Sequence, residues 1–245
     1  MRLAVISDIH ANLPALEAVL ADIRTRAVDG TVNLGDCVAG PLWPRETMAC
    51  LDALALPTVR GNHDRYLCDR PEAKLPKVDQ FAYAALTGAQ RRALFDLPAT
   101  LALDGDVLAV HGTPSDDSTY LTEDTPSGRM TPAPRALIRE RLGPAMARAV
   151  VLCGHSHRQS VTQVPGGPLI LNPGTVGCPV FADVPGANEM EFRSPHARYA
   201  ILTRRNGRWG AELFALDYDW DHAAARAGEC GFPHWARALA TGAVV

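Results

Sequence analysis

Apolar residues fall along this chain in short runs, and most of the runs stop abruptly at a glycine, an aspartate or a histidine. Leu3-Ala4-Val5-Ile6 reads as a buried strand that feeds Asp8-Ile9-His10. A helix is predicted to open at Asn12, with Pro14 in its first turn, where a missing N–H costs little. Leu13, Leu16, Leu20 and Ile23 recur at helical spacing and give that helix one apolar face. Thr31 to Leu34 is a second predicted strand, ending at Gly35-Asp36. Pro57-Thr58-Val59 is a third, ending at Gly61-Asn62-His63-Asp64. Strand, loop and helix in alternation predict an α/β chain with a largely parallel sheet.

Gln80 to Asp96 reads as helical, and Thr87 with Gln90 forms a capping box ahead of a second short helix. Val107 to Val110 is a strand running into His111-Gly112, and Val150 to Leu152 is another running into Gly154-His155-Ser156-His157. Between them lie a polar, proline-rich stretch, 113–134, expected to act as a lid, and a helix predicted over Arg135 to Arg148. Leu169 to Leu171 precedes Asn172-Pro173-Gly174. Tyr199 to Thr203 and Trp209 to Leu216 predict an antiparallel hairpin around Asn206-Gly207. With no repeat or linker, residues 1–245 read as one domain.

Five times an apolar run ends in ligand-type side chains: Asp8 and His10; Asp36; Asn62, His63 and Asp64; His111; His155 and His157. In open α/β sheets the crevice beyond the strands' carboxyl ends is where ligands bind. One Asp-x-His alone would be an ordinary cap or surface pair, but five in order at strand ends converge on one site. Imidazole mixed with carboxylate suits Zn, Mn, Fe or Ni better than Mg or Ca. The ligands outnumber the needs of one tetrahedral ion. A carboxylate such as Asp36 can bridge two cations about 3.5–4 Å apart, a pair that makes hydroxide from water near neutral pH.

Composition narrows the partners. Of 245 residues, 47% are hydrophobic and the net charge is -3, so no basic excess calls for nucleic acid or an acidic membrane surface. No apolar run is long enough to span a bilayer, and Met1 to Ser7 meets Asp8 too soon to form a signal-peptide core. A cytoplasmic location is expected. Six cysteines without a C-x-x-C pair read as reduced, mostly buried residues.

Together, Asp8-Ile9-His10, Gly35-Asp36, Gly61-Asn62-His63-Asp64, His111 and Gly154-His155-Ser156-His157 resemble the five motifs of the calcineurin-like metallophosphoesterase superfamily. Ser7 to Leu16 and Leu171-Asn172-Pro173-Gly174 resemble its small bacterial, phosphodiesterase-like branch. The resemblance implies a four-layer sandwich of two mixed β-sheets packed face to face and flanked by helices. It implies two divalent transition-metal ions (Mn, Fe, Ni or Zn), one held by Asp8, His10 and His157. The other would be held by Asn62, His111 and His155, with Asp36 between them. His63 would protonate the leaving oxygen and Asp64 would orient it. The chain departs from the resemblance at Cys178 and in the acidic stretch Phe181 to Pro195; both bear on substrate preference.

Outside the motifs, Arg60 and Arg158 are candidates to meet a substrate phosphate. His196, His222 and His234 read as surface or packing residues, and Trp43, Trp209, Trp220 and Trp235 as core. The expected activity is hydrolysis of a small phosphorylated substrate, a phosphodiester or nucleotide. Dinucleoside polyphosphates and phosphoproteins are the alternative substrates. A metal-binding scaffold is disfavoured by the complete ligand set, and a nuclease by the acidic balance.

Overall fold

The computed structural model describes every residue except 127, 129, 182–189, 192 and 244–245. In chain order the first elements are β1 (Arg2–Ile6), α1 (Leu13–Arg24), β2 (Gly30–Asn33), α2 (Pro44–Leu54) and α3 (Asn62–Asp69). Next come α4 (Lys77–Ala85), α5 (Gly88–Phe95), β3 (Thr100–Leu103), β4 (Val107–Val110), β5 (Glu123–Asp124), β6 (Thr131–Pro132) and α6 (Arg135–Leu142). The chain continues through β7 (Val150–Leu152), β8 (Ser160–Gln163), β9 (Leu169–Asn172), β10 (Val180–Phe181) and β11 (Met190–Glu191). It closes with β12 (Ala197–Arg205), β13 (Arg208–Leu216), α7 (Trp220–Glu229) and α8 (Pro233–Thr241).

Two mixed sheets form. The first has the order β13-β12-β1-β2, with β1 parallel to β2 and antiparallel to β12. The second has the order β3-β4-β7-β9-β8, parallel along β4-β7-β9 and antiparallel at both edges. Alternation along each strand dictates what the faces do. Val5, Val32, Ala200 and Leu202 of the first sheet pack on Val107, Ala109, Val150, Leu152 and Leu171 of the second. The residues between them turn outward. Ala4, Ile6, Tyr199 and Ile201 meet α1, α7 and α8, while Val110, Val151 and Ile170 meet α6. Both faces of each sheet are therefore apolar, and each fully buried Val or Leu contributes roughly 1.5–3 kcal/mol. Helices, sheet, sheet and helix make the four layers.

The predicted caps appear at their residues. Asn12 Oδ1 accepts from the N–H of Ala15 at 3.3 Å, and Thr87 and Gln90 close a reciprocal box at 3.2 and 2.9 Å. Asn206 and Gly207 turn the β12–β13 hairpin with φ of 52° and 75°, which Asn-Gly adopts readily. Other expectations need correction. The sheets are mixed rather than largely parallel. Pro57 to Val59 makes only an isolated parallel bridge, Asn33 to Thr58, because Pro57 has no N–H for a ladder. The helix expected over Arg135 to Arg148 stops at Leu142, where Gly143 (φ 49°) and Pro144 tighten the chain into a 3₁₀ turn. Strands β3 and β8 and helices α7 and α8 were not anticipated by the apolar pattern. Among the described residues no helix is long and apolar enough to cross a membrane.

Candidate metal centre and substrate cavity

Strands β1, β2, β4 and β7 end on the same side, and the loops after them carry Asp8 and His10, Asp36, His111, and His155 and His157. Asn62 and His63 arrive from the first turn of α3. The backbone bends sharply to bring them in. Asp8, His10, Asp36, His155 and His157 all have positive φ, between 49° and 64°, a region non-glycine residues occupy at a cost of order 1 kcal/mol or more each. Two glycines let the loops close. A Cβ on Gly61 would collide with the Asp36 carboxylate, and one on Gly154 with Ser7 Oγ.

The side chains form two clusters. Asp8, His10 and His157 present atoms within 4.8 Å of one another, as do Asp36, His111 and His155. Within them, His10 Nε2 lies 3.2 Å from His157 Nε2, and Asp8 Oδ1 lies 3.3 Å from His157 Nε2. Asp36 Oδ2 stands between the clusters, 3.3 Å from His111 Nε2 and 3.8 Å from His10 Nε2. Asn62 Oδ1 completes the second cluster, 3.0 Å from His111 Nε2. All seven sequence-predicted ligands thus meet.

Hydrogen bonding behind the rings fixes what faces inward. Nδ1 of His10, His111 and His157 donates to the carbonyls of Ala39, Leu34 and Cys178 at 2.7, 2.7 and 2.8 Å. A carbonyl can only accept, so Nδ1 holds the proton and a neutral ring offers its Nε2 lone pair to the centre. Asp8 Oδ1 is buried there without a hydrogen-bond partner. Lone pairs facing lone pairs at 3–4 Å is an arrangement that cations satisfy, and this donor set fits two of them.

Protonation follows the same logic. Burial pushes His10 and His155 down to about 4, aided by His157 and His111 respectively. Burial also opposes charge on His111 and His157, but Asp36 raises the first to about 9 and Asp8 raises the second well above the usual value. Without metal, the carboxylate beside each of these two rings favours its protonated form, and a cation bound there would take the proton's place.

His63 lines the cavity above these clusters, and its supporting carboxylate differs from the expected one. Asp64 does not orient it. The Asp64 carboxylate accepts from the backbone N–H groups of Asp36, Cys37 and Gly61 at 2.9, 3.0 and 3.0 Å, which ties the loop after β2 to the start of α3. Asp64 points at backbone because it occupies the third position of the helix, where a carboxylate reaches back to the cap. His63 Nδ1 instead meets Asp79, at 2.9 and 3.0 Å from its two oxygens. Asp79 is fully buried in the first turn of α4.

The clusters floor a cavity of about 450 Å³ whose walls include Tyr66, Pro76, Val78, Ser118, Cys178, Val180 and Trp235. Arg60 and Arg158 do not line it. The Arg60 guanidinium donates to Phe95 O at 2.6 Å and lies over the Phe95 ring, directed into α5. Glu123 is the carboxylate that feels the Arg158 charge. Trp235, expected in the core, is partly buried there and also faces the cavity. Neither Asp79 nor Trp235 follows an apolar strand run, so the strand-end pattern passes over both. The 113–134 stretch reaches the site early in its course: Asp117 pairs with Arg65 of α3 at 2.7 Å, and Tyr120 stacks on His155 at 4.6 Å. Of the acidic stretch Phe181 to Pro195, residues 182–189 and 192 lie outside the described residues.

The family model of the calcineurin-like phosphoesterase superfamily domain matches residues 1–194. An uncharacterised protein of Methanocaldococcus jannaschii is 47% identical over 62 residues, a match spanning 25% of this chain and 26% of that protein. The crystal structure of a metallophosphoesterase from Sphaerobacter thermophilus superposes with a TM-score of 0.74 at 28% identity, over 99% of this chain and 100% of that one. A hypothetical protein from Pyrococcus horikoshii shares the fold with a TM-score of 0.78 at 19% identity, over 100% and 99% of the two chains.

Proposed function

Because the chain belongs to the calcineurin-like phosphoesterase superfamily and is a metallophosphoesterase, we propose that it hydrolyses small phosphodiesters, with His63 as proton donor to the leaving oxygen. The observation that carries this reading is Asp36 Oδ2 standing between two clusters of inward-facing lone pairs at the floor of an open cavity. Asp8, His10 and His157 would hold one cation, Asn62, His111 and His155 the other, and Asp36 both. Mn, Fe, Ni and Zn all suit this donor set. Two such ions supply Lewis acidity at the phosphoryl oxygens and ease the ionisation of water.

What the chain itself contributes is orientation and a proton. Asp79 holds Nδ1 of His63, which leaves Nε2 as the nitrogen that can serve a leaving oxygen. Burial opposes charge on His63, yet the carboxylates of Asp79 and Asp36 raise it to about 10 in the metal-free chain, and Asp79, which is outside the two clusters, favours the protonated ring. In-line attack breaks the bond from phosphorus to the leaving oxygen, and that oxygen takes the His63 proton as it departs. Positive charge for the substrate comes from the cation positions and His63. Among the described lining residues no lysine or arginine adds to it. A singly charged diester suits that balance better than the dianion of a monoester.

The test is hydrolysis of bis(4-nitrophenyl) phosphate against 4-nitrophenyl phosphate by protein loaded in turn with Mn, Fe, Ni and Zn, with metal content measured in parallel. Two ions per chain and faster cleavage of the diester are expected. Faster cleavage of the monoester would overturn the diester preference, and no cleavage of either with any metal would overturn the hydrolase reading.

A further inference from the structure

We propose that Trp235 selects the substrate: the cavity takes a phosphodiester whose retained ester group, the one that stays on phosphorus as the other leaves, is a flat nucleoside or aryl group that packs on its indole. This rests on the phosphodiesterase reading above and adds the chemical class of the ester.

The indole reaches the cavity by a rigid route. Helix α8 begins with Pro233 at its first position and lies against α7, and Ala223, Ala227 and Leu239 are buried beneath the pair on the outer face of the first sheet. Trp235, in the first turn of the helix, sets its ring at 70° to that of His10 with centroids 6.3 Å apart. Gly40 lies beside the same ring: a Cβ there would collide with the His10 carbonyl, so the glycine lets its loop close on His10, while the indole Cη2 sits at an ordinary contact distance of 3.5 Å from that position. On the other side, Phe232 packs edge-on against Phe81 of α4, centroids 5.9 Å apart. Helix α4 also carries Asp79, so the indole is braced against both the metal loops and the support of His63.

Walls and floor of the cavity differ in chemistry. The floor is imidazole and carboxylate, while Pro76, Val78, Val180, Tyr66 and Trp235 make an apolar and aromatic side. A phosphoryl group uses none of that side; an ester substituent does. Tyr66 is already engaged. The Arg70 guanidinium lies 3.2 Å from its ring centroid and its hydroxyl bonds Ser118 at 3.1 Å. Trp235 is therefore the aromatic assigned to the substrate, and the 450 Å³ volume is on the scale of small-molecule sites. Stacking on an indole is indifferent to base identity, so a flat group is selected rather than one particular base.

The test compares two esters with one leaving group: 4-nitrophenyl thymidine 5′-phosphate and methyl 4-nitrophenyl phosphate. Metal-loaded wild-type protein is expected to favour the thymidyl ester in kcat/KM by roughly tenfold. Trp235→Leu, which fills much of the space without a flat ring, should lose most of that preference, and Trp235→Phe should keep the larger part. Equal kcat/KM for the two esters in the wild type, or an undiminished preference in a folded Trp235→Leu, overturns the proposal. Calorimetric titration with the methylphosphonate ester of thymidine and with ethyl methylphosphonate reads the same preference without turnover. If neither nitrophenyl ester is cleaved yet the thymidyl mimic binds about tenfold tighter through Trp235, the reaction assignment fails and the aromatic wall stands. Equal binding of the two mimics overturns the wall.

Discussion

His63 Nδ1 and the carboxylate of Asp79 face each other at 2.9 and 3.0 Å, sixteen residues apart in sequence, with Asp79 wholly buried. The pair links α3, which carries Asn62 of the second cluster, to α4, which walls the cavity. A carboxylate on Nδ1 fixes the ring's tautomer and orientation and leaves Nε2 for a substrate.

Removing the imidazole is the direct test of that role. His63→Ala should keep both metals while slowing hydrolysis of alkyl and nucleoside diesters by roughly 10²–10⁴-fold. The loss should be much smaller for a 4-nitrophenyl ester, whose leaving group needs little protonation. Equal losses for both, with depleted metal, would make His63 only a prop for Asn62.

Asp79→Asn separates orientation from acidity. His63 is held at about 10, above the ordinary 6.5, with Asp79 the largest charge raising it. Raised in the folded state, its contribution to stability is complete below about pH 6.5 and is lost as pH rises through about 10. In metal-free protein, then, the denaturation midpoint of the wild type should fall across that window more steeply than that of Asp79→Asn. In turnover of alkyl diesters, the alkaline limb should move to lower pH in the variant. Superimposable profiles would show that Asp79 does not act through His63.

Asp36 reaches toward both clusters, so Asp36→Asn is expected to be the most damaging ligand change. One neutral amide would replace the carboxylate that stands between the two cation positions. Metal analysis should show both ions depleted, with activity falling alongside, whereas Asp8→Asn should mainly empty one position. Retention of two ions and near-normal turnover in Asp36→Asn would remove the bridging assignment.

Asp64 is predicted to matter for architecture. Its oxygens take three backbone N–H groups, and an amide at that position would set its own N–H₂ against one of them. Leaving one buried donor unpaired costs about 1–3 kcal/mol, so Asp64→Asn should lower the unfolding midpoint and weaken metal binding together. A variant as stable as the wild type would falsify this account.

Strand-end chemistry was legible in the sequence because β1, β4 and β7 read as apolar runs and Val32 and Leu34 mark the end of β2, so the ligand-type residues that follow each stand out. That signal located six of the seven residues that gather in the two clusters, and the short run Pro57 to Val59 pointed to the seventh, Asn62. The second sheet was harder to read. Its edge strands, β3 and β8, alternate between half-buried and exposed positions over only four residues, too few to distinguish from a loop. Asp79 was illegible for another reason: a first-turn aspartate on a helix is usually a favourable partner for the helix dipole, and nothing local says that it is buried beside a histidine. Asp64 misled because it adjoins His63 in sequence, while the helical backbone turns its side chain the other way. Trp235 depends on where α8 docks, a tertiary fact with no local trace.

Both clusters mix the two sheets: Asp8, His10 and Asp36 follow strands of the first, and His111, His155 and His157 follow strands of the second. During synthesis the early ligands emerge long before the late ones. At ribosomal speeds the interval from Asp8 to His157 is roughly 7–30 seconds. Neither ion position can gather its full shell in that time, so a nascent chain has no finished site with which to capture a scarce or wrong metal. Loading would then be a late step in the protein's manufacture, taken after the two sheets have met, with folded geometry acting on the choice of ion.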